Sequence, residues 1–238
     1  MAKEVKLRVR LIAQTQEAEA TVAAAIRQCY SPIGADQLVK KTGRKTQKRL
    51  ISLVTASGHT STIEHASFTF AIEGISRACS HQLVRHRIAS FSQQSQRYVD
   101  LSKEEIAYII PPEISYSKKK REKFHQAMEE IENTYRDLIR AGVAPEDARF
   151  VLPNACETKI VVTMNARSLA NFFRLRTCVR AQWEIRALAK KMMSLVKEAA
   201  PLLFANVGPS CQTEKICWEG HLSCGLWKTI PGATLKER

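Results

Sequence analysis

The sequence predicts an α+β fold: a short, mostly antiparallel sheet packed with several longer helices, in a single compact domain with helical additions. Three observations lead there. First, Val5, Leu7, Val9 and Leu11 alternate with Lys6, Arg8 and Arg10, and Phe68, Phe70 and Ile72 alternate again, which is the period of half-buried strands. Second, longer stretches repeat their apolar residues at helical spacing. Third, strands and helices do not alternate regularly, which argues against a doubly wound parallel sheet.

The elements follow in order. Val5 to Leu11 is a strand. Glu17 to Tyr30 is alanine-rich and reads as a helix, stopped by Ser31-Pro32. Lys45 to Ser57 is a second helix, ended at Gly58. A strand over Phe68 to Ile72 leads into a helix from Ser76 to Val84, on which Ala78, Cys79, Leu83 and Val84 recur at helical spacing. A serine- and glutamine-rich loop follows. Ala107 to Ile110 is a short strand before Pro111-Pro112. From Lys118 to Ala141, Phe124, Met128, Ile131, Tyr135, Leu138 and Ile139 form one apolar stripe, with Gly142 as the stop. Such a stripe reads as core. Pro145-Glu146-Asp147 opens a short helix that ends before Pro153. Ile160 to Met164 is a β-branched strand, Asn165 can cap the next helix, and Ala181 to Ala199 is another helix. After Gly208-Pro209 the order signals fade. About four short strands thus lie among longer helices.

Composition narrows the function. The chain has 238 residues, enough for one sizeable core. No apolar run approaches the roughly 20 residues that span a bilayer, and the N-terminal stretch Met1 to Lys6 lacks an apolar signal core. No membrane partner is expected, and the setting reads as cytoplasmic. Seven cysteines, an odd number without small-scaffold spacing, favour reduced thiols. The net charge of +14 favours anionic partners: nucleic acid, a membrane surface or phosphorylated small molecules. Aromatic residues are only 7% and none interleaves the basic runs Lys40 to Lys45 and Lys118 to Arg121, which weakens a single-strand nucleic-acid platform.

The chemistry concentrates in Arg85 to Tyr98. Its fourteen residues hold three arginines, one histidine, three serines and three glutamines, and no acid. Arginine forks and serine hydroxyls in that density suit an anionic ligand. The stretch leaves the end of a partly buried helix, where arginines need partners. No G-x-G-x-x-G follows a strand and no G-x-x-x-x-G-K-[ST] occurs, so a dinucleotide would be held by side-chain donors and helix ends. Arg85, His86, Arg87, Asn165, Arg167 and Asn171 supply such donors. Asn165 and Asn171 flank a predicted helix start, whose free backbone N–H groups also suit phosphate. The alternatives are a plain N-cap for Asn165, a salt bridge to Asp147 or Glu146 for Arg149, and a solvated helix arginine for Arg176.

Arg85-His86-Arg87, seven residues, Ser95 and then Arg97 resembles the signature of flavin-dependent thymidylate synthases. Gly58 to His65 upstream, and Asn165 to Arg176 and Ala181 to Ile185 downstream, are similar to that family's further blocks and stand in its order, over about Met1 to Pro209. The resemblance implies a domain over 1–209 and a Cys/His-containing tail over 210–238. It implies FAD on Arg85, His86, Arg87, Asn165, Arg167 and Asn171, with Ser61 and Gln93 reaching it from a neighbouring subunit and His59 near the flavin ring. The family often has Glu where this chain has Gln93. It implies dUMP among Gln82, Arg85, Gln93, Gln94, Ser95, Gln96, Arg97, Arg149 and Arg176. Ser95, Arg97 and Arg149 would serve mainly the phosphate, and Arg176, the catalytic candidate, the uracil ring at N3. Methylenetetrahydrofolate would give the carbon, NADPH would re-reduce the flavin, and the assembly would be a homotetramer with shared active sites. No enzyme nucleophile is implied, so Cys29, Cys79, Cys156 and Cys178 read as small buried hydrophobes. In the tail, Cys211, Cys217, His221 and Cys224 could hold zinc tetrahedrally. Their spacing is not that of a common finger, so no metal is expected. The alternative is a tail with reduced thiols docked on a neighbouring subunit.

Overall fold

The computed structural model describes residues 3–103 and 105–237; Met1, Ala2, Glu104 and Arg238, and with them the first residues of the N-terminal stretch read above, lie outside it. In chain order the elements begin with β1 (Lys3–Glu4), β2 (Arg8–Gln14), α1 (Ala18–Gln28), α2 (Ala35–Lys41) and α3 (Arg44–Ala56). A 3₁₀ turn at Thr60–His65 leads to β3 (Ser67–Ser76), α4 (Arg77–Leu83), β4 (Ser90–Gln93) and β5 (Ala107–Tyr108). There follow α5 (Pro112–Ser115), α6 (Lys118–Arg140), α7 (Pro145–Ala148), β6 (Glu157–Asn165), α8 (Ala166–Arg176) and α9 (Trp183–Ala199). The tail adds α10 (Ser210–Thr213), β7 (Ile216–Cys217) and β8 (Thr234–Leu235).

The main sheet has the order β2-β3-β6-β4 and is antiparallel. The period-two patterns do what they should. Phe68, Phe70 and Ile72 on β3, and Thr158, Ile160, Val162 and Met164 on β6, are buried, while their neighbours are at least partly exposed. Two short parallel pairs, β1 with β5 and β7 with β8, were not predicted. The expected strand over Val5 to Leu11 begins only at Arg8, as β2, and residues 5–7 link it to β1, which joins a different partner.

The chain forms two interleaved units. The first comprises Met1–Arg8, Ala71–Arg85 and Phe91–Val161, and the second Val9–Phe70, His86–Ser90 and Val162–Arg238. Strands β3 and β6 each pass from one unit into the other, so the chain is threaded through both.

In the first unit, the α6 stripe buries Met128 and Tyr135 against Tyr108, Ile110, Ile106, Ala148 and Cys156. The helix ends at Arg140 with Ala141 as its cap, and Gly142 follows at φ 87°, as its sequence asks. Gly74 is required at its place in β3. It adopts φ 68°, and a Cβ there would lie 2.1 Å from the Lys6 carbonyl oxygen. The Glu157 carboxylate accepts the Gly74 N–H at 2.8 Å.

In the second unit, Phe68, Phe173 and Phe204 meet edge to face, with centroids 5.2 and 6.2 Å apart. The inner faces of α8 and α9 close over them, with Leu169, Phe172, Ile185, Leu188 and Met192 buried. Buried Glu19 accepts the Leu202 N–H at 2.5 Å and pairs with Arg44, so its charge is compensated.

Two expectations need correction. No helix was expected between Tyr30 and Lys45, yet α2 lies there with Lys40-Lys41 as its last turn; its single buried residue, Leu38, is too little apolar pattern to announce a helix. The serine-glutamine stretch read as loop contains β4. It pairs along β6 and faces Phe91 and Gln93 inward with exposed Ser90 and Ser92 between them. A polar strand of this kind is fixed by its backbone partners rather than by its own apolar pattern.

Candidate active site

The second unit gathers part of the expected site around the start and the end of α8. At the start, Asn165 accepts the Ser168 N–H at 2.8 Å, so the capping role is real. The Ala166 N–H is taken by the Ala66 carbonyl at 2.8 Å. Two of the amides expected to welcome a phosphate are thus already bonded, and Asn171 lies inside the helix rather than beside its start. The same backbone bond fastens the Thr60–His65 turn, which carries Ser61 and follows His59, to α8. Both of those residues are exposed. Glu64 of that turn accepts from Arg167 at 2.6 Å.

At the end of α8, Arg176 Nε donates to His86 Nε2 at 3.0 Å. The His86 ring stands edge-on to buried Phe172, with centroids 4.9 Å apart at 86°. Burial, and next the Arg176 charge, hold the imidazole down to about 4, so it is neutral near pH 7. Arg176 is half-buried and is not the solvated helix arginine of the alternative reading. By contrast, Arg87 is exposed, and among the described residues it has no ion pair or side-chain hydrogen bond. The same holds for Arg85 in the first unit, after the last turn of α4. For both, no protein side chain among the described residues supplies the partner that an arginine at this helix end needs, and their heads stay available to a ligand.

The first unit gathers the rest. Helix α4 is capped by Ser76, whose hydroxyl accepts the Cys79 N–H at 3.0 Å, and it carries half-buried Gln82. Gln93 Nε2 donates to Ser80 Oγ at 2.9 Å and to Thr158 Oγ1 at 3.0 Å. The Gln94 N–H bonds the Lys159 carbonyl at 2.9 Å, and Gln96 Nε2 reaches Cys156 Sγ at 3.7 Å. Ser95 Oγ accepts the Arg97 N–H at 3.1 Å. The Arg97 guanidinium lies 5.2 Å from the centre of the Tyr98 ring and donates to Glu146 at 2.5 Å. Arg149 does not form the salt bridge weighed above. Its Nε donates to the Glu146 main-chain carbonyl at 2.9 Å, while the carboxylate of Glu146 serves Arg97.

Sequence reasoning missed two residues here. Glu146, named above as a possible salt-bridge partner of Arg149, is bonded to two of the phosphate candidates, to Arg97 through its carboxylate and to Arg149 through its main-chain carbonyl. Arg77 is half-buried and sends Nη1 to the Gln94 carbonyl and to Thr158 Oγ1, each at 3.4 Å. Burial draws its guanidinium below the usual arginine range; the Cys156 thiol opposes this and the neighbouring Arg149 charge adds to it. Its place at the first turn of α4, one residue after a serine cap, was the available signal.

Of the four cysteines read as buried hydrophobes, Cys79 and Cys156 are buried, Cys178 is half-buried, and Cys29 is exposed because it lies just past the end of α1. Burial pushes Cys156 up to about 11, and it raises Cys178 and Cys211 as well. Among the described residues, no three His, Cys, Asp or Glu side chains are grouped to hold a metal. Cys217 lies 3.5 Å from the Ser223 hydroxyl. A cavity of about 310 Å³ in the tail is lined by Trp218, Glu219, Gly220, His221, Leu222 and Glu237. It contains none of the residues expected to hold FAD or dUMP, only His221 of the four tail ligand candidates, and its two acids repel phosphate, so the donor clusters above are the better site. No helix among the described residues is long and apolar enough to cross a membrane.

Known proteins resemble this chain over most of its length. A family model described as thymidylate synthase complementing protein matches residues 10–202. The flavin-dependent thymidylate synthase of Geobacter sulfurreducens is 52% identical over 219 residues, covering 92% of this chain and 94% of that one. The enzyme of the same name from Clostridium tetani is 48% identical, covering 94% and 95%. Among solved structures, a UMP/dUMP methylase from Streptomyces cacaoi bound with 5-Br dUMP superimposes with a TM-score of 0.75 at 23% identity, covering 85% of this chain and 95% of that one, and so shares its fold. On the family match and these identities, this chain belongs to the flavin-dependent thymidylate synthase family.

Proposed function

We propose that this protein converts dUMP to dTMP, with methylenetetrahydrofolate as carbon donor, FAD as cofactor and NADPH as the reductant of the flavin. The observation that carries the reading is the bond between His86 and Arg176. It joins the Arg85-His86-Arg87 motif to the Asn165 to Arg176 block of the family pattern, ninety residues on.

The residues fit the groups they would hold. Arg87, Arg167, Ser61 and Asn171 are exposed donors, the second and fourth of them on a helix capped by Asn165, a set suited to a pyrophosphate and ribose. Arg167 is now paired with Glu64, an exposed bridge worth only ~0–1 kcal/mol, which a phosphate can displace. When bound, the reduced flavin supplies the hydride that completes the new methyl group. Arg97, Arg149 and Ser95 would bind the dUMP phosphate, and Gln82, Gln93, Gln94 and Gln96 would orient the nucleotide. Gln93 now donates to two hydroxyls, so its carbonyl oxygen is the end left for a ligand. Arg176 would stabilise the charge that grows on the uracil edge as N3 loses its proton. The methylene carbon then bonds to C5, the C5 proton leaves, and tetrahydrofolate departs.

The same reading takes the working form as a homotetramer whose subunits share active sites, with residues 1–209 as the catalytic domain and 210–238 as a tail. The seven free cysteines support a reducing, cytoplasmic setting. The test is direct. The purified protein should absorb in the visible as a flavoprotein, and with the folate and NADPH it should form dTMP from dUMP. A colourless protein that forms no dTMP and binds nucleic acid with steep salt dependence would establish the rival reading instead.

A further inference from the structure

We propose that His86 is the positioning residue for Arg176: its unprotonated Nε2 takes the Arg176 Nε–H and so fixes the plane in which the guanidinium meets the substrate. The inference rests on the reading of Arg176 given above and adds a role to His86.

Donor and acceptor are fixed by chemistry. Arginine carries only donors, so at 3.0 Å the histidine must accept, and the ring proton must sit on Nδ1. The ring is itself held. It meets the edge of Phe172, a fully buried residue one helical turn before Arg176 on α8. One turn of helix therefore supplies both the wall that sets the imidazole and the arginine that the imidazole sets.

The choice of a neutral acceptor matters. Arg97 and Arg167 are held by carboxylates, Glu146 and Glu64, which offset their charge. A carboxylate on Arg176 would compete with the developing charge on the pyrimidine. A neutral imidazole removes the freedom of the head group and leaves its charge available. Burial keeps the ring neutral, and the Arg176 charge acts in the same direction, so the acceptor persists through the neutral range. With Nε engaged, the four N–H groups on the two Nη nitrogens are presented in one orientation. A free arginine would have to find that orientation from many rotamers at each turnover.

The test is a double-mutant cycle on the holoenzyme, with flavin occupancy read from its visible absorption. His86→Phe keeps an aromatic edge against Phe172 and removes the acceptor. It should lower kcat on the order of 10- to 100-fold, the scale of a misplaced catalytic group, with little change in the KM for dUMP. His86→Gln puts an acceptor near the Nε2 position and should recover most of that loss. His86→Asn, whose oxygen falls short, should not. In an Arg176→Ala background, His86→Phe should cost at most about twofold more, because its effect passes through Arg176. Multiplicative losses, or full kcat in His86→Phe at full flavin occupancy, overturn the inference. A readout independent of flavin and turnover is the nitrogen-15 spectrum of labelled histidine. The His86 ring should titrate near 4 with Nε2 unprotonated, and its midpoint should rise in Arg176→Ala. A proton on Nε2 at neutral pH, or an unmoved midpoint, also overturns it. Wild-type protein that forms no dTMP would refute the enzymatic reading alone, since the spectrum still tests the contact.

Discussion

Arg176 and Arg97 are both substrate candidates, one in each unit, and they are held in opposite ways. Arg176 is half-buried and bonded to a neutral imidazole. Arg97 is about half exposed, as is its partner Glu146, and the pair is ionic. The exposed ion pair is worth only ~0–1 kcal/mol and can be given up when a phosphate arrives. The imidazole contact leaves the charge of the arginine uncompensated. This difference suits two tasks. An arginine for a phosphate that is present before, during and after reaction can rest on an acid between turnovers. One for charge that exists only in the transition state should keep its charge free and its orientation fixed.

The sharpest way to break that comparison is to delete each arginine. Arg176→Ala should keep its flavin and still oxidise NADPH, yet form dTMP at least about 100-fold more slowly, in line with loss of one preorganised donor. Arg97→Ala should instead raise the KM for dUMP about 10- to 100-fold, the worth of a charge-assisted hydrogen bond at ~1.5–3 kcal/mol, with a modest change in kcat. Steady-state dTMP formation beside a flavin-reduction assay measures both. Wild-type kcat in Arg176→Ala, or the reverse pattern between the two variants, removes the division of labour.

The two arginines were unequally legible. Both stood out by their motifs, and the patterns around them were sound: α6 begins and ends close to where period and Gly142 put it, α8 begins after its Asn165 cap, and β3 covers Phe68 to Ile72 but runs on to Ser76. Their partners were not readable. His86 is ninety residues from Arg176, and Glu146 is 49 residues from Arg97. No local pattern states which side chains a fold will bring together over such separations. β4 was missed for a related reason, since its backbone pairs along β6 while its inward side chain Gln93 is polar. Asn165 was half legible. The cap could be read from its place before α8, but the capture of the Ala166 amide by Ala66 could not.

Glu146 sharpens the comparison further. If it only holds Arg97 until phosphate binds, removing its charge should help the substrate. Glu146→Gln keeps the main-chain carbonyl that accepts from Arg149. The KM for dUMP should therefore fall, by at most about fivefold for a bridge of up to ~1 kcal/mol. Isothermal titration with dUMP gives the same quantity without turnover. Weaker dUMP binding in this variant would mean that the carboxylate organises the phosphate site and is not displaced from it.

The smallest effect on catalysis is expected at Cys156, which lies beside Gln96 of the dUMP set and looks like a candidate nucleophile by position alone. Its environment argues otherwise. Burial is the main cause that lifts the thiol from 9.0 to about 11, and the nearby Arg77 charge only partly offsets it. Near pH 7 the reactive thiolate is then almost absent. Cys156→Ala should keep dTMP formation to within about twofold, because no step passes through the sulfur. Loss of dTMP with dUMP and flavin still bound would overturn this. Stability supplies a second check, with a definite sign. Below pH 9 the thiol is protonated in both folded and unfolded chains and has no pH-dependent effect. Between pH 9 and about 11 the unfolded chain loses the proton while the folded chain keeps it, so the unfolded state is favoured as pH rises. Wild-type protein should therefore lose more stability than Cys156→Ala across that window. Denaturant midpoints for both proteins at pH 8 and pH 11 measure the difference, in which the titration of every other group cancels. A difference that does not change with pH would mean that the folded chain leaves the thiol at its ordinary acidity, and the case against Cys156 as a nucleophile would lose its physical basis.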